Sequence, residues 1–129
     1  MGATAANDSI MSLSSLGPPR GQNQPIKPDV SAPGERICSA SHLSDNGYIE
    51  LEGTNVAASY VAGMMALTLS KDNSWSVEKM RYCIRDGAKP TALTAGTCSD
   101  RSGGSVPNFN TGHGIVSATG TYECLRNAR

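Results

Sequence analysis

A polar residue stands where an apolar helix is predicted to begin, in the segment Gly53–Gly63. Free backbone N–H groups and the positive end of the helix dipole converge at such a point, which suits a nucleophile or an anion site. The residue there is Asn55. Its amide nitrogen lone pair is delocalised, so a histidine cannot turn it into an attacking anion. Asn55 is therefore predicted to cap the helix rather than to attack a substrate.

Two helices and a hairpin are predicted to surround this turn. Residues 54–70 are apolar around nearly the whole circumference, which is typical of a buried helix. Residues 76–86 form an amphipathic pattern between a serine that can cap the helix and the stop signal of Gly87. Upstream, two short strand patterns flank Asn46-Gly47, a dipeptide that favours a type I′ hairpin turn.

Composition limits the classes of function. The 129 residues suffice for one domain at most, and 14 glycines with 7 prolines predict a loop-rich chain. The 11 basic and 11 acidic residues cancel, so neither nucleic acid nor an anionic membrane is an expected partner. The longest apolar run, residues 56–69, is shorter than the roughly 20 residues that span a bilayer. The N-terminus shows no signal-peptide pattern.

Four cysteines, Cys38, Cys83, Cys98 and Cys124, show no CxxC pair, so a zinc site is not expected. Three of them follow residue 80, where a covalent link would most help a loop-rich region. This favours a Cys98–Cys124 or a Cys83–Cys98 bridge, with reduced and partly buried thiols as the equal alternative. A bridge would imply an oxidising compartment.

The turn at Asn55 resembles the serine box of the subtilisin-like serine peptidases (subtilases), G-T-S-x-A-x-P followed by x-V-A-G. The matching positions are Gly53, Thr54, Ala57, Val61, Ala62 and Gly63. The departures are Asn55 at the nucleophilic serine, Ser59 at the proline and Tyr60 at the histidine that often follows. By this resemblance, Asn55 occupies the nucleophile position and is expected to be incompetent.

Further motifs resemble the family in the same order along the chain. Residues 2–4 resemble the end of the V-G-A-T strand, and 14–18 the S-S-x-G-P turn. Residues 27–34, which include Asp29, Pro33 and Gly34, resemble K-P-D-V-x-A-P-G. Residues 112–116 resemble the late G-x-G-x-V turn.

The resemblance implies an α/β fold, namely the C-terminal part of a doubly wound, mostly parallel-sheet domain that is incomplete on its own. Residues 1–129 form one partial peptidase domain. Its expected parts are a loop-rich entry (1–28), strands and a hairpin (29–52), the buried helix (54–70), the amphipathic helix (76–86) and a loop-rich tail (91–129). The triad aspartate and histidine are expected upstream of this portion.

Two histidines and one aspartate are further candidate site residues. Neither His42 nor His113 matches the family's catalytic histidine, and both are expected to be surface or turn residues. Asp29 is one carboxylate where calcium wants six to eight oxygens, so it is expected to pair with Lys27 or with local amides. No metal and no cofactor are expected.

Three functions follow from the resemblance. The first is a fragment or pseudoenzyme homologue of a serine endopeptidase, without proteolytic activity by itself. The second is a non-catalytic module that binds or regulates a polypeptide. The third is part of an active endopeptidase completed by upstream segments, against which Asn55 counts directly. The implied partners are a polypeptide substrate or the upstream part of the same domain. The family and the four cysteines favour a secreted or other oxidising compartment.

Overall fold

The computed structural model describes residues 1–21, 23–91 and 106–127. Four short strands precede three helices in the described chain. The strands are β1 (Gly2–Thr4), β2 (Ser31–Pro33), β3 (Ile37–Ala40) and β4 (Tyr48–Leu51), and the helices are α1 (Thr54–Lys71), α2 (Val77–Asp86) and α3 (Ala118–Asn127). The result is a mixed α/β fragment.

The first sheet is parallel and lies against α1. β1 pairs with β2 in the register Ala3 to Ala32. A single parallel bridge from Ser31 to Ile115 brings the late turn to the other edge of β2, and Ile115 also bridges Lys89 in the antiparallel sense. Around Ile115 the chain therefore joins the sheet through isolated bridges and not as a strand. This small sheet holds three of the predicted motifs side by side.

β3 and β4 form the predicted antiparallel hairpin, with Cys38 opposite Glu50. The predicted type I′ turn at Asn46-Gly47 is wrong, because neither residue has a positive φ. β3 ends at Ala40, opposite the first residue of β4, so residues 41–47 all belong to the loop. A long loop does not need the tight mirror-image turn that a two-residue connection requires.

α1 is buried on one face and open on the other. Its buried residues are Val56, Ala57, Val61, Met64 and Thr68. On the opposite face Leu67 is 73% exposed and Tyr60 is 49% exposed. The prediction of a helix buried all round is wrong for this chain, because no described element covers the second face. The helix is covered on one side only.

α2 has the expected boundaries. The Ser76 hydroxyl oxygen accepts a hydrogen bond from the Lys79 N–H (3.2 Å), and Gly87 follows the last helical residue. Met80, Cys83 and Ile84 form its buried face. Its amphipathic pattern is strong, which is why the sequence alone defined this helix.

The loop-rich tail predicted for residues 91–129 contains a helix, α3. Ser117 precedes it, and its hydroxyl oxygen accepts from the Gly120 N–H (3.2 Å). Thr121 and Leu125 are its buried residues. With only one large aliphatic side chain, Leu125, the segment carries too little apolar periodicity for a prediction. Packing on α2 supplies the stability that the sequence pattern lacks.

A disulfide joins α2 to α3 between Cys83 and Cys124, with a Cα–Cα distance of 5.4 Å. Both predicted bridges, Cys98–Cys124 and Cys83–Cys98, are therefore wrong; Cys98 itself lies outside the described residues. The pairing follows from the contact between two helices, one of which the sequence did not reveal. Cys38 is a free, exposed thiol.

Removal of this bridge by the double substitution Cys83→Ala/Cys124→Ala is expected to lower the free energy of unfolding by about 2–4 kcal/mol, because the cross-link restricts the unfolded chain. Urea denaturation followed by circular dichroism measures the change. Cys38→Ala is the matched control and should shift stability by less than about 0.5 kcal/mol. An unchanged denaturation midpoint in the double variant would contradict the assignment of the bridge as structural.

Candidate functional site

Gly53 forms the tight turn from which α1 starts. Its φ is +122°, a conformation that side chains rarely adopt. A Cβ at this position would also lie 2.7 Å from Asn55 Oδ1. The Gly53 N–H donates to the Gly34 carbonyl (2.8 Å), and the Gly53 carbonyl accepts from the Ala57 N–H (3.1 Å). The backbone requirement explains why glycine stands here.

The turn after β2 holds the Gly53 turn in place. The Gly34 N–H donates to the Thr4 carbonyl of β1 (3.0 Å), while the Gly34 carbonyl accepts from Gly53. Beneath this contact Ala57 is completely buried. The structure therefore brings together residues from three separate motifs, which are Thr4, Pro33, Gly34, Gly53, Thr54, Asn55 and Ala57. Gly63 lies two turns further along α1 on its open face.

Asn55 is the second residue of α1 and is exposed. The prediction that it caps the helix is wrong, because Gly53 is the N-cap residue and no side chain caps the first turn. Gly53 takes that place because the required φ is positive. The first N–H groups of α1 consequently remain open to solvent or to a ligand. The side chain at this position, that of Asn55, is a carboxamide and not a hydroxyl.

Asn55 borders a cleft of about 320 Å³ between the hairpin and the start of α1. The lining residues are Ile37, Cys38, Ser39, Leu51, Asn55, Val56, Ser59 and Tyr60. None of them is a histidine, aspartate or glutamate. The Ser59 hydroxyl donates to the backbone carbonyl of Asn55 (3.1 Å), so this hydroxyl is hydrogen-bonded within α1. Cys38 is the one lining residue with a free thiol; neither predicted bridge included it, and no sequence pattern indicated a place for it beside Asn55.

Neither histidine lines the cleft at Asn55. His42 is exposed in the loop of the β3–β4 hairpin. His113 lines a different cavity of about 490 Å³ along α2. Its backbone N–H donates to the backbone carbonyl of Asp29 (2.8 Å). Both therefore take the surface and turn positions that the sequence predicted. The described residues supply no proton acceptor beside Asn55.

Asp29 pairs with Lys27, as the sequence predicted. The Lys27 ammonium donates to Asp29 Oδ2, and Arg85 Nε lies 3.9 Å from Oδ1. Partial burial raises the pKa of Asp29, but the Lys27 hydrogen bond and charge, with Arg85, outweigh it and hold the pKa below its usual value. Within residues 1–21, 23–91 and 106–127, no three histidine, cysteine or acidic side chains are grouped to hold a metal.

A pKa lowered by folding means that ionised Asp29 stabilises the fold above its unfolded pKa, and that the contribution is lost as pH falls through the folded pKa. Asp29→Asn should therefore cost about 0.2–1 kcal/mol at pH 7, since the pair is partly solvated. The difference from the parent chain should vanish in strong acid. Thermal unfolding at pH values from strong acid to 7 measures this difference in stability, with Lys27→Gln as the partner control. A difference that persists in strong acid would contradict the ion-pair account.

Comparison with known proteins identifies the family of this arrangement. The model of the subtilase family, Peptidase S8, matches residues 1–114. The chain belongs to the subtilase family. The turns that meet at Gly34 and Gly53 both lie within the matched residues.

The similar proteins are proteases that are much longer than this chain. The minor extracellular protease Vpr of Bacillus subtilis is 33% identical over 114 residues, which cover 85% of this chain and 13% of that protein. Bacillopeptidase F of the same organism is 34% identical over 119 residues, covering 91% of this chain and 8% of that protein. The chain thus spans a small part of the curated relatives it matches.

Solved structures give the same result for the fold. The CspB protease of Clostridium perfringens superposes with a TM-score of 0.72 at 32% identity, over 95% of this chain and 25% of that one. The prenylagaramide maturation protease PagA superposes with a TM-score of 0.65 at 25% identity, over 96% of this chain and 41% of that one. The described chain is therefore a portion of a subtilase fold. None of its described helices is long and apolar enough for a membrane span.

Proposed function

We propose that this chain is the C-terminal portion of a subtilase catalytic domain in which Asn55 occupies the nucleophile position, and that it does not hydrolyse peptide bonds by itself. The observation that carries the proposal is the placement of Asn55. It is exposed at the start of α1, beside a cleft, and on a turn that Gly34 and Gly53 fix. The serine box of the family has its nucleophile two residues after the equivalent of Gly53.

The chemistry at Asn55 does not support acyl transfer. A triad serine attacks because a histidine accepts its proton and an aspartate orients the histidine. A carboxamide has no comparable proton to give up, and its nitrogen is a poor nucleophile. The lining of the cleft offers no imidazole or carboxylate that could act as a base. Both requirements for covalent catalysis are thus unmet at this position.

The partner that we propose is the upstream part of a subtilase domain. The open face of α1 carries Tyr60 and Leu67 together with the exposed small residues Ala58, Ala62, Gly63 and Ala66. A Cβ added to Gly63 would meet no atom within 4 Å. An exposed apolar face of this kind is typical of a contact surface. Small residues on it let a second element approach the helix closely.

A second candidate function is binding of a polypeptide without cleavage. The cleft beside Asn55 offers apolar side chains, Ile37, Leu51, Val56 and Tyr60, next to uncapped N–H donors of α1. Such a mixture suits a peptide, whose side chains are apolar in part and whose carbonyls accept hydrogen bonds. This function needs no nucleophile, so Asn55 is compatible with it.

Incubation of the purified chain with fluorescein-labelled casein tests both functions. We expect no release of labelled peptides, while an active subtilase under the same conditions degrades the casein. Fluorescence polarisation with casein-derived peptides measures the second function, for which we expect saturable binding without turnover. Hydrolysis that a serine-directed phosphonate blocks would contradict the proposal and favour an active endopeptidase.

A further inference from the structure

The loop of the β3–β4 hairpin places an exposed asparagine directly before a glycine. Asn46 is exposed, and Gly47 follows it at the end of the loop. Among the described residues, no hydrogen bond restrains the Asn46 carboxamide, and no side chain accepts from the Gly47 N–H. We propose that Asn46 is a site of spontaneous covalent modification, in which its side-chain amide is lost through attack by the backbone nitrogen of Gly47.

The reaction needs only water as a co-reactant. The Gly47 nitrogen attacks Asn46 Cγ and a new C–N bond forms. The bond from Cγ to the side-chain nitrogen breaks, and this nitrogen leaves as ammonia with the proton of the Gly47 N–H. The resulting cyclic imide then adds water at either carbonyl. Opening at one carbonyl gives aspartate, and opening at the other gives isoaspartate, with no oxidation or reduction.

Glycine is the neighbour that hinders this attack least, because it has no Cβ and its backbone reaches conformations closed to other residues. Asn55 differs on both counts. It is followed by Val56, whose branched side chain shields the backbone nitrogen, and both residues lie within α1, which fixes their dihedral angles. The Asn55 amide is therefore expected to survive where the Asn46 amide does not.

Hydrogen bonds protect other asparagines in the described chain. The N–H of Ser74, which follows Asn73, donates to Asp72 Oδ1 (2.9 Å). The N–H of Thr111, which follows the buried Asn110, donates to a side-chain oxygen of the same turn (2.9 Å). In each case the nitrogen that would attack is held by an acceptor. The structure thus separates Asn46 from these positions.

The modification would change the hairpin that walls the cleft at Asn55. It adds a negative charge beside Asp45, which takes the formal net charge of the chain from zero to −1. Isoaspartate also lengthens the main chain just before Gly47, whose carbonyl accepts from the Ser41 N–H (2.9 Å). The same hairpin contributes Ile37 and Leu51 to the cleft. The loop end of the β3–β4 hairpin, where Ser41 and Gly47 are hydrogen-bonded, would lose its strand register first.

Ageing of the full chain at mildly alkaline pH tests the proposal. We expect an acidic species on ion exchange, with a mass gain of one dalton. Cleavage after glutamate yields residues 36–50, which contain Asn46 as their only asparagine, and separates them from Asn55. The gain should appear there first, as two peptides of equal mass for aspartate and isoaspartate, and in heavy-oxygen water it should rise by the mass of the added isotope.

Two variants make the result specific. Asn46→Gln should abolish the early acidic species, and Gly47→Ala should slow its formation while keeping the asparagine. Gly47 does not have a positive φ, so alanine needs only a rotation of the nearby Ser44 hydroxyl. A gain that appears equally fast at Asn55 or Asn73, or an acidic species that persists in Asn46→Gln, would overturn the proposal.

Discussion

Replacement of Asn55 by serine is expected to leave the isolated chain without measurable peptide hydrolysis. A serine at the start of α1 would have a hydroxyl, but the cleft has no imidazole to accept its proton. Within the described residues His42 lies in the hairpin loop and His113 lines another cavity. Hydrolysis of labelled casein by parent and variant is the measurement. Turnover by the isolated variant would show that a proton acceptor lies beside residue 55, contrary to this account.

The same substitution should have a very large effect inside a complete domain. We propose a chimera in which this chain replaces the matching quarter of the CspB protease, with which it superposes over 95% of its length. With Asn55 the chimera should be inert, and with Asn55→Ser it should cleave substrate. Loss of the triad serine in subtilisin itself costs on the order of a million-fold in kcat, which sets the scale of the gain.

Circular dichroism and thermal unfolding of both chimeras supply the control, since the two differ in one exposed side chain and should melt together. Equal activity of two folded chimeras would contradict the placement of Asn55 at the nucleophile position. Inactivity of a folded Asn55→Ser chimera would do the same, because the remaining groups are then supplied by an active relative.

Gly112→Ala is expected to destabilise the chain by at least about 3 kcal/mol, which combines strain with overpacking. Gly112 has a φ of +66°, and an added Cβ would lie 2.2 Å from the backbone oxygens of both Pro28 and Asp29. The turn cannot move away easily, because Gly112 exchanges two backbone hydrogen bonds with Asn108 (3.0 Å each). Urea denaturation measures the loss.

Gly63→Ala is the matched control for this substitution. Gly63 lies inside α1 on its open face, and an added Cβ would meet nothing within 4 Å. Alanine should therefore stabilise the helix by about 0.5–1 kcal/mol. If Gly112→Ala behaved like Gly63→Ala, the late turn could not be packed against residues 28–29, which precede β2.

Sequence reasoning succeeded where a residue type answers a backbone requirement. Gly34 and Gly53 lie in motifs that carry the family resemblance, and the structure joins them through one hydrogen bond. α2 was predictable because Ser76 and Gly87 mark its ends and its apolar face is periodic. At the ends of α2 local chemistry determines the conformation, whereas the motifs of Gly34 and Gly53 were recognised by their resemblance to the family.

The failures at α3, at the Cys83–Cys124 bridge and at the open face of α1 depend on tertiary packing. α3 has little apolar periodicity and is stabilised by its contact with α2, so neither the helix nor the Cys83–Cys124 bridge could be inferred locally. The open face of α1 depends on which elements surround the helix. Asn55 was expected to cap α1, but the positive φ of the turn gave that place to Gly53. The hairpin was found, while its loop length and turn type were not.

Intact-mass spectrometry of the parent chain after incubation with a serine-directed fluorophosphonate tests the central claim most directly. An activated serine forms a covalent phosphonyl adduct with such a probe, whereas the Asn55 carboxamide has no oxygen that can attack phosphorus after loss of a proton. We predict that the chain keeps its original mass while an active subtilase in the same experiment is fully labelled. A stoichiometric adduct on any side chain of this molecule would contradict the account.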